Sequence, residues 1–242
     1  MIPHTIHYCW FGGKPLPKSA IKCINSWKKY FPGWEIRQWD ESNFDINAIP
    51  YTREAAEKSK WAFVSDYARF WILYNYGGVY FDTDVEVIRP MDDIIKRGAF
   101  MGFEKSHTGL GVNSGLGIAS EKKSSTYKTI LDHYSRLHFI DNNGKMLPGT
   151  VVKHITDVLT ESGLTVNDTI QQVADITLYP NEYFNPLDDA TGKLNITSNT
   201  RSIHHYAKTW CDNYGPVRTL VMRRLHRIFG VTFFSRLKSL FH

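Results

Sequence analysis

Two aspartates, Asp82 and Asp84, stand in a run that otherwise has the composition of a buried strand. The run YNYGGVYFDTDVEVI, from Tyr74 to Ile88, is rich in aromatic and β-branched side chains. Residues two apart in a strand point to the same side, so the two carboxylates would repel each other unless a cation lay beside them. Mg²⁺ or Mn²⁺ would suit, because each takes oxygen ligands and keeps positions open for substrate phosphates. The alternative is a solvated strand end, or carboxylates paired with arginine.

A second pair of charges precedes this strand. Asp66 and Arg69 are three residues apart and share one face of a predicted helix. A carboxylate can accept hydrogen bonds from sugar hydroxyls, and an arginine can neutralise a diphosphate or hold a sugar oxygen. An ordinary surface ion pair is the alternative. A functional role is favoured because the stretch has few other charges and the Gly77-Gly78 turn leads directly to the aspartates.

The spacing of apolar residues predicts the elements that position these side chains. A strand ending at Gly12-Gly13, a helix stopped by Pro32-Gly33 and the short strand WEIRQWD form a strand–helix–strand unit. Such a unit is typical of an α/β fold with a mainly parallel sheet. A helix is predicted over 52–76, ended by Gly77-Gly78, and a single strand over Val79–Ile88. Further helices are predicted over 123–139 and 150–161, and strands within GAFMGFE, LGVNSGLGIAS, DITLYPNEYFNP and RSIHHYAKTW.

Composition narrows the class of protein. A chain of 242 residues can form one large α/β domain or two small ones. Its three cysteines include no CxxC pair, which disfavours a disulfide framework or a zinc site and favours a reducing compartment. The N-terminus lacks the pattern of a secretory signal, and no run of about 18 apolar residues predicts a transmembrane helix. We therefore expect a cytoplasmic protein.

The positive charge is concentrated at the C-terminus. Residues 213–242 contain six Lys or Arg and no Asp or Glu, so of the net charge of +5 the remaining residues carry 5 − 6 = −1. A near-neutral body argues against nucleic acid as a partner. Apolar residues follow helical spacing in 217–242 and the basic residues lie largely elsewhere around the helix, which predicts a helix lying on an anionic membrane. Packing on the body or on another subunit is the alternative, and binding of nucleic acid by the tail is a third option. The predicted division is a domain over 1–215 and a basic amphipathic tail over 216–242.

Three blocks of the chain resemble a known family. SDYARFWILYNYGGVYFDTD resembles the block S-D-x-x-R followed by G-G-x-Y-x-D-x-D that is shared by family 32 glycosyltransferases, the DXD sugar-binding group, and by the glucosylating clostridial toxins. The opening IPHTIHYCWFGGKPLP is similar to the family's I-P-x-x-I-H-x-x-W-x-G. IHHYAKTW resembles its H-H-x-x-x-S-W element, with Thr209 in place of serine. The three blocks together bracket residues 2–210. The family that they resemble includes capsular polysaccharide enzymes and relatives of initiating mannosyltransferases.

The resemblance implies a GT-A fold, a Mn²⁺ or Mg²⁺ cofactor, and transfer with retention of anomeric configuration. By position, the resemblance implies that Trp10 stacks on the nucleotide base, that Asp66 and Arg69 bind the donor sugar, and that Tyr80 lines the donor pocket. It implies that Asp84 ligates the metal directly, that His205 is a late metal ligand, and that Asp82 contacts ribose, sugar or a metal-bound water. It further implies that Trp210 closes over the phosphates and that Asn113 lies on the donor or acceptor side. Alternatives stay open: Trp10 as a core residue, His204 as the ligand instead of His205, and Asn113 as a turn residue. Arg69, or a lysine such as Lys208, could stabilise the leaving diphosphate.

The function expected is a metal-dependent retaining glycosyltransferase of polysaccharide biosynthesis. Its donor would be a UDP- or GDP-linked sugar and its acceptor a glycan or a lipid-linked glycan. It would lie in the cytoplasm, with a peripheral position on the inner face of the cell membrane if the tail binds lipid. No motif identifies a nucleophile or a general base, for which Asp66 and Glu86 are the available carboxylates. A metal-dependent phosphohydrolase and a non-catalytic nucleotide- or membrane-binding module are the competing readings.

Overall fold

The computed structural model describes residues 1–106, 109–147, 149–207 and 216–231. Within these ranges the helices are α1 (Lys18–Tyr30), α2 (Pro50–Glu57), α3 (Trp61–Tyr76), α4 (Asp92–Ile95), α5 (Ser125–Tyr134), α6 (Val151–Glu161), α7 (Asn181–Phe184) and α8 (Pro216–Phe229). The strands are β1 (Thr5–Cys9), β2 (Glu35–Trp39), β3 (Gly78–Tyr80), β4 (Val85–Val87), β5 (Phe100–Ser106), β6 (Gly109–Val112), β7 (Ile118–Ser120), β8 (Gln171–Val173), β9 (Ile176–Tyr179) and β10 (Ser202–His204).

The central sheet has the strand order β2-β1-β3-β7-β5-β9-β8, with β6 paired to β5. Strands β2, β1 and β3 are parallel, as are β5 and β9, while β7 runs antiparallel between the two groups. Five strands of this sheet therefore run in one direction, and their carboxyl ends share an edge, where ligands bind in open α/β sheets. The predicted α/β class with a mainly parallel sheet flanked by helices is confirmed.

Helices cover both faces of the sheet. Trp27 of α1 packs with Ile6 and Phe81 on one face. On the other face, α3, α5 and α6 bury a larger cluster that includes Phe70, Tyr134 and their neighbours. Because α3 lies against the sheet, half of its side chains are buried, including the charged Asp66 and Arg69. The surface ion pair considered as an alternative is therefore wrong.

The helix predicted over 52–76 is interrupted. It forms α2 and α3, which are separated by Ser59, a residue with a left-handed backbone at φ 55°. The helix predicted over 123–139 is shorter, since α5 ends at Tyr134. The prediction over 150–161 is confirmed, with the Thr150 side chain accepting a hydrogen bond from the amide of Lys153 at the N-terminus of α6.

The single strand predicted over Val79–Ile88 is wrong. Strand β3 ends at Tyr80, the chain turns at Asp82, whose carbonyl accepts the amide of Val85 at 3.0 Å, and β4 then leaves the main sheet. β4 pairs antiparallel with β10 in a separate ribbon. Helix α1 holds this ribbon, because the Trp27 indole donates to the Val85 carbonyl at 2.8 Å. The two aspartates therefore lie in a turn between two sheets rather than on one face of a strand.

The turn between α3 and β3 is fixed by a neutral histidine. His7 Nε2 lies 3.0 Å from the carbonyl oxygen of Gly77, and His7 Nδ1 accepts a hydrogen bond from the Trp39 indole at 3.0 Å. Burial lowers the pKa of His7 to about 4, so Nε2 carries the proton of a neutral ring and donates to Gly77. This ring joins β1, β2 and the start of β3, and so sets where the aspartate turn begins.

Helix α8 docks on the segment 188–192 through its basic side chains. Arg223 Nε donates to the Asp189 carbonyl at 3.0 Å, and Arg227 donates to the carbonyls of Thr191 and Gly192 at 2.6 and 2.9 Å. The predicted domain boundary at 215/216 falls where α8 begins and stays a prediction. In the described part of the chain, no helix combines the length and the apolarity that a membrane span requires.

Replacing Gly78 by alanine should destabilise the fold. Gly78 has φ 102°, and a Cβ there would lie 2.5 Å from the Thr5 carbonyl oxygen of the adjacent strand. We expect a loss of roughly 3 kcal/mol or more of unfolding free energy, from left-handed strain plus a backbone clash, measured by urea denaturation. Gly98→Ala is the matched control, because Gly98 has φ 105° with nothing within 4 Å of the added atom. Equal losses in the two variants would contradict the close approach at Gly78.

Candidate active site

Two carboxylates and one imidazole converge at the carboxyl end of β3. Single ligand atoms of Asp82, Asp84 and His204 all lie within 4.8 Å of one another. The aspartates come from the turn after β3, and His204 comes from the end of β10, where it stands opposite Val85 in the β4–β10 ribbon. The pairing of β4 with β10 therefore brings together residues about 120 positions apart in sequence.

Asp84 is held by one side chain and one backbone amide. Its Oδ1 lies 3.3 Å from His204 Nε2, and its Oδ2 accepts the amide of Ala207 at 2.7 Å. Burial alone would raise the pKa of Asp84, but the charge and hydrogen bond of His204 and the amide of Ala207 lower it to about 2. Burial alone would lower the pKa of His204, but the charge and hydrogen bond of Asp84 raise it to about 9. The pair therefore carries a carboxylate and a positive charge at neutral pH.

The structure places His204, not the expected His205, beside the aspartates. Successive residues of a strand point to opposite sides. The His205 side chain accordingly turns away, and its Nε2 lies 2.8 Å from Glu86 Oε2. Glu86 also contacts Lys22 Nζ at 3.0 Å, so this carboxylate is engaged by two basic side chains. The alternative that assigned the late ligand to His204 is the one that the geometry favours.

Arg69 links the helix to the aspartate turn. It is 3% exposed, and its Nη2 lies 3.0 Å from Asp66 Oδ1 and 3.3 Å from Asp82 Oδ1. Its Nη1 donates to Ser114 Oγ at 3.0 Å, and its Nε donates to the Ser65 carbonyl at 3.1 Å. All three nitrogens of the guanidinium have protein partners. Arg69 therefore positions the carboxylates, and its contact with a diphosphate stays a prediction.

Asp66 and Tyr80 complete the buried part of the site. Burial raises the pKa of Asp66 to about 7, although Arg69 acts in the opposite direction. The Tyr80 hydroxyl donates to Asp82 Oδ1 at 2.9 Å, and the Arg69 guanidinium lies 5.1 Å from the centre of the Tyr80 ring. Tyr80 is buried, so in this structure it orients Asp82. Its expected place in the donor pocket stays a prediction.

A second segment, Asn113–Gly115, packs against Asp82. Asn113 Oδ1 accepts the amide of Gly115 at 2.7 Å, as in the turn considered for it, while its Nδ2 donates to Glu104. A Cβ at Gly115 would lie 2.3 Å from Asp82 Oδ2, so only glycine permits this approach. That Asn113 reaches the donor sugar or the acceptor side stays a prediction.

Sequence reasoning missed several residues of this site. Glu104 contributes to the raised pKa values of His204 and Tyr206, so its charge faces the site from β5. Ser114 and Gly115 were also missed, because a serine or glycine carries no local signal of a partner that is distant in sequence. Only the polar residues beside Asn113 within a predicted strand could have drawn attention to this segment.

The remaining residues predicted for the site are Trp10, Lys208 and Trp210. Trp10 follows β1 at the same edge of the sheet as Asp82, is half-buried, and donates its indole N–H to the Lys14 carbonyl at 2.5 Å. Base stacking by Trp10 stays a prediction. Trp210 and Lys208 lie outside the described residues.

The ligand atoms of Asp82, Asp84 and His204 suit a hard divalent cation. Two carboxylates supply oxygen ligands and the imidazole of His204 supplies a nitrogen, a combination suited to Mn²⁺ and compatible with Mg²⁺. The Nδ1 atom of His204 is buried and has no hydrogen-bond partner among the residues that the structure describes. The ring is therefore held by its Nε2 side, where the carboxylates lie.

Comparison with known proteins identifies the region that contains most of this site. Residues 17–101 match the family model "Glycosyltransferase sugar-binding region containing DXD motif". Inositol phosphoceramide mannosyltransferase 1 of Schizosaccharomyces pombe is 29% identical and is matched over 41% of this chain and 33% of its own length. A second mannosyltransferase of that series and organism is 28% identical, over 34% of its length, so the chain spans about a third of these two relatives.

Two further comparisons cover more of the chain. An uncharacterized glycosyltransferase of Acanthamoeba polyphaga mimivirus is 27% identical, over 77% of this chain and 74% of that protein. Among solved structures, PaToxG Glycosyltransferase aligns with a TM-score of 0.47 and 19% identity, over 66% of this chain and 69% of that one.

The geometry predicts different effects for the two adjacent histidines. We expect His204→Ala to weaken Mn²⁺ binding by at least about tenfold, since it removes a ligand atom and an ionic partner of Asp84. His205→Ala is the matched control and should change the affinity less than about twofold, because His205 contacts Glu86 instead. Titration of free Mn²⁺ by electron paramagnetic resonance measures both. The opposite ranking would return the ligand role to His205.

Proposed function

We propose that this chain, a glycosyltransferase of the DXD sugar-binding family, moves a sugar from a UDP- or GDP-linked donor to a glycan or lipid-linked glycan acceptor, with retention of anomeric configuration and with a bound divalent cation. The observation that carries the proposal is the convergence of Asp82, Asp84 and His204 at the sheet edge, beside the buried Asp66–Arg69 pair. The family supports the reaction class, and the site supports a cation-held diphosphate.

The residues of the chain divide the work of holding the donor. Asp84, Asp82 and His204 would hold Mn²⁺ or Mg²⁺, which when bound supplies Lewis-acid stabilisation of the leaving diphosphate. Asp66 is 8% exposed and lies next to Asp82 across Arg69, so its carboxyl can accept a hydrogen bond from a donor-sugar hydroxyl. Arg69 and Tyr80 keep these carboxylates in place.

The reaction does not require a protein base. In a transfer with retention, the acceptor can enter on the face that the diphosphate leaves. The bond from the anomeric carbon to the phosphate oxygen breaks, the bond to the acceptor oxygen forms, and the acceptor's proton passes to the leaving phosphate oxygen. Glu86 is a poor candidate for a base, since Lys22 and His205 both contact it.

The names of the relatives suggest which substrates to test first. Two of them are mannosyltransferases whose names give inositol phosphoceramide as the acceptor. We therefore propose a mannose donor and a lipid-linked acceptor as the leading pair. Because the matches cover about a third of those relatives, the donor and the acceptor both have to be measured.

Slow hydrolysis of the donor tests the proposed reaction. Across a panel of UDP- and GDP-sugars with Mn²⁺, we expect one donor to release its sugar and nucleoside diphosphate, and chelation by EDTA to stop the release. Asp84→Ala should lower the rate by at least about 100-fold, because a lost charge-stabilising group at such a site costs about 3 kcal/mol of barrier.

The products separate the competing functions. Cleavage of the pyrophosphate bond by water, which releases nucleoside monophosphate and sugar 1-phosphate in place of nucleoside diphosphate and free sugar, would make the protein a phosphohydrolase. Nucleotide binding without turnover would make it a non-catalytic module. Retention of full, metal-independent activity in Asp84→Ala would contradict the assigned site.

We also propose that α8 attaches the protein peripherally to an anionic membrane surface. Arg223 and Arg227 bind the helix to the body, and Val221 and Ile228 are 49% and 71% exposed on the side away from these contacts. Arg224, also exposed, can approach anionic headgroups. The docked basic face supports the packing alternative for part of the helix, and the exposed apolar residues support membrane contact for the rest.

A double substitution tests this attachment. Val221→Ser with Ile228→Ser should reduce pelleting with phosphatidylglycerol liposomes by at least about tenfold in partition coefficient, since two apolar side chains would no longer enter the lipid. Val166→Ser with Ile170→Ser is the matched control, because these residues are 40% and 49% exposed on the body. Equal pelleting of the two double variants would refute a membrane role for α8.

A further inference from the structure

Tyr206 has a strained backbone directly beside the cation site. Its φ angle is 54°, in the left-handed region that a residue with a Cβ rarely adopts. Glycine is the usual residue for such a position. Strained residues of this kind persist only where surrounding contacts hold them, and they cluster at functional sites. The contacts around Tyr206 therefore indicate what its turn achieves.

The left-handed turn directs two backbone amides to one aspartate. The amide of His205 donates to the Asp84 carbonyl at 3.0 Å, and the amide of Ala207 donates to Asp84 Oδ2 at 2.7 Å. In a continued strand, amides two residues apart would lie roughly 6.6 Å apart along the chain and would meet different partners. Tyr206 lies between the two residues, and its turn brings the second amide back to Asp84.

This arrangement divides the carboxylate oxygens of Asp84 between the protein and a cation. Oδ2 is occupied by the Ala207 amide, while Oδ1 lies 3.3 Å from His204 Nε2, on the side where the ligand atoms of the site converge. Groups that bond to a metal ligand fix its orientation and affect the affinity for the metal. The Ala207 amide therefore leaves one Asp84 oxygen, in a fixed direction, for Mn²⁺ or Mg²⁺.

The Tyr206 ring packs on the imidazole of His204. The two ring centres are 4.3 Å apart, with an angle of 53° between the planes. A metal-binding histidine usually donates from its second nitrogen to a partner that fixes the ring. His204 is buried, and its Nδ1 has no such partner among the described residues. Contact with the Tyr206 ring therefore supplies part of the constraint that this hydrogen bond would give.

The phenol of Tyr206 is anchored to the end of α7. Its hydroxyl donates to Asn185 Oδ1 at 2.8 Å. Asn185 is 2% exposed, and its Nδ2 donates to Asn181 Oδ1 at 3.3 Å, so the amide group is oriented with its oxygen toward Tyr206. Asn181 Oδ1 also accepts the amide of Lys105 in β5 at 2.8 Å. A chain of hydrogen bonds thus connects the central sheet to the turn at Tyr206.

We propose that Tyr206 is a positioning residue of the cation site. Its phenol, held by Asn185, and its ring, held against His204, maintain the left-handed turn that directs the Ala207 amide to Asp84. Tyr206 acts through Asp84 and His204 rather than as a ligand. This inference rests on the proposed function for its cation, and it adds Tyr206 and Asn185 to the residues that determine the affinity of the site.

Removal of one hydroxyl group tests the anchor. Tyr206→Phe keeps the ring but loses the bond to Asn185, and we expect it to weaken Mn²⁺ binding about fivefold, the usual effect of one lost hydrogen bond. Tyr8→Phe is the matched control, because the Tyr8 hydroxyl donates to Gln38 Oε1 at the same 2.8 Å but joins β1 to β2. It should leave the Mn²⁺ affinity within about twofold. Electron paramagnetic resonance of free Mn²⁺, with nucleotide-free protein, measures both affinities, and thermal unfolding shows that each variant is folded.

A second pair of variants tests the backbone turn. Tyr206→Asn and Tyr206→Val both lose the ring and the phenol, but asparagine tolerates the left-handed region and a β-branched valine does not. We expect Tyr206→Val to bind Mn²⁺ at least about tenfold more weakly than the unmodified protein. Tyr206→Asn should bind it about fivefold more tightly than Tyr206→Val, since it relieves the strain. Ala174→Val places the same strain at φ 49° in the exposed turn between β8 and β9, and should leave the affinity within about twofold.

Several results would overturn the positioning role. These are an unchanged Mn²⁺ affinity in Tyr206→Phe, an equal loss in Tyr8→Phe, equal affinities of Tyr206→Asn and Tyr206→Val, a loss in Ala174→Val as large as in Tyr206→Val, and no Mn²⁺ binding by the unmodified protein. Failure of the proposed function is distinct, because donor hydrolysis decides it and these titrations contain no nucleotide sugar. Binding of Mn²⁺ that depends on Tyr206, without hydrolysis of any donor, would support the positioning role and refute the transferase.

Discussion

The buried guanidinium of Arg69 is the interaction on which the rest of the site depends. A cation that is 3% exposed must be paired and hydrogen-bonded, and each of its nitrogens has a partner. Removing one partner of such a buried pair typically costs about 3–5 kcal/mol. The contact between Arg69 and Asp82 therefore joins α3 to the aspartate turn with enough energy to fix their relative position.

Charge balance explains why this site would suit a bound cation. Arg69 offsets one of the two carboxylates that it contacts, Asp66 and Asp82, so one negative charge remains when both are ionised. At Asp84 the positive charge of His204 plays the corresponding part. A divalent cation at this site would take His204 Nε2 as a ligand only after its proton is lost, and would then neutralise the carboxylates in place of that proton. In this site a bound divalent cation would therefore replace the proton of His204 as the source of positive charge.

Local signals in the sequence predicted much of the fold but not the break in the aspartate strand. Gly77-Gly78 and the helical spacing before it are local, and they placed the end of α3 correctly. Tyr80 and Val85 have the same β-forming character, so nothing within the run separates β3 from β4. The separation comes from α1 and β10, which bond to the backbone of β4. For the same reason the sequence could not decide between His204 and His205, because only the register against β4 determines which of the two faces the aspartates.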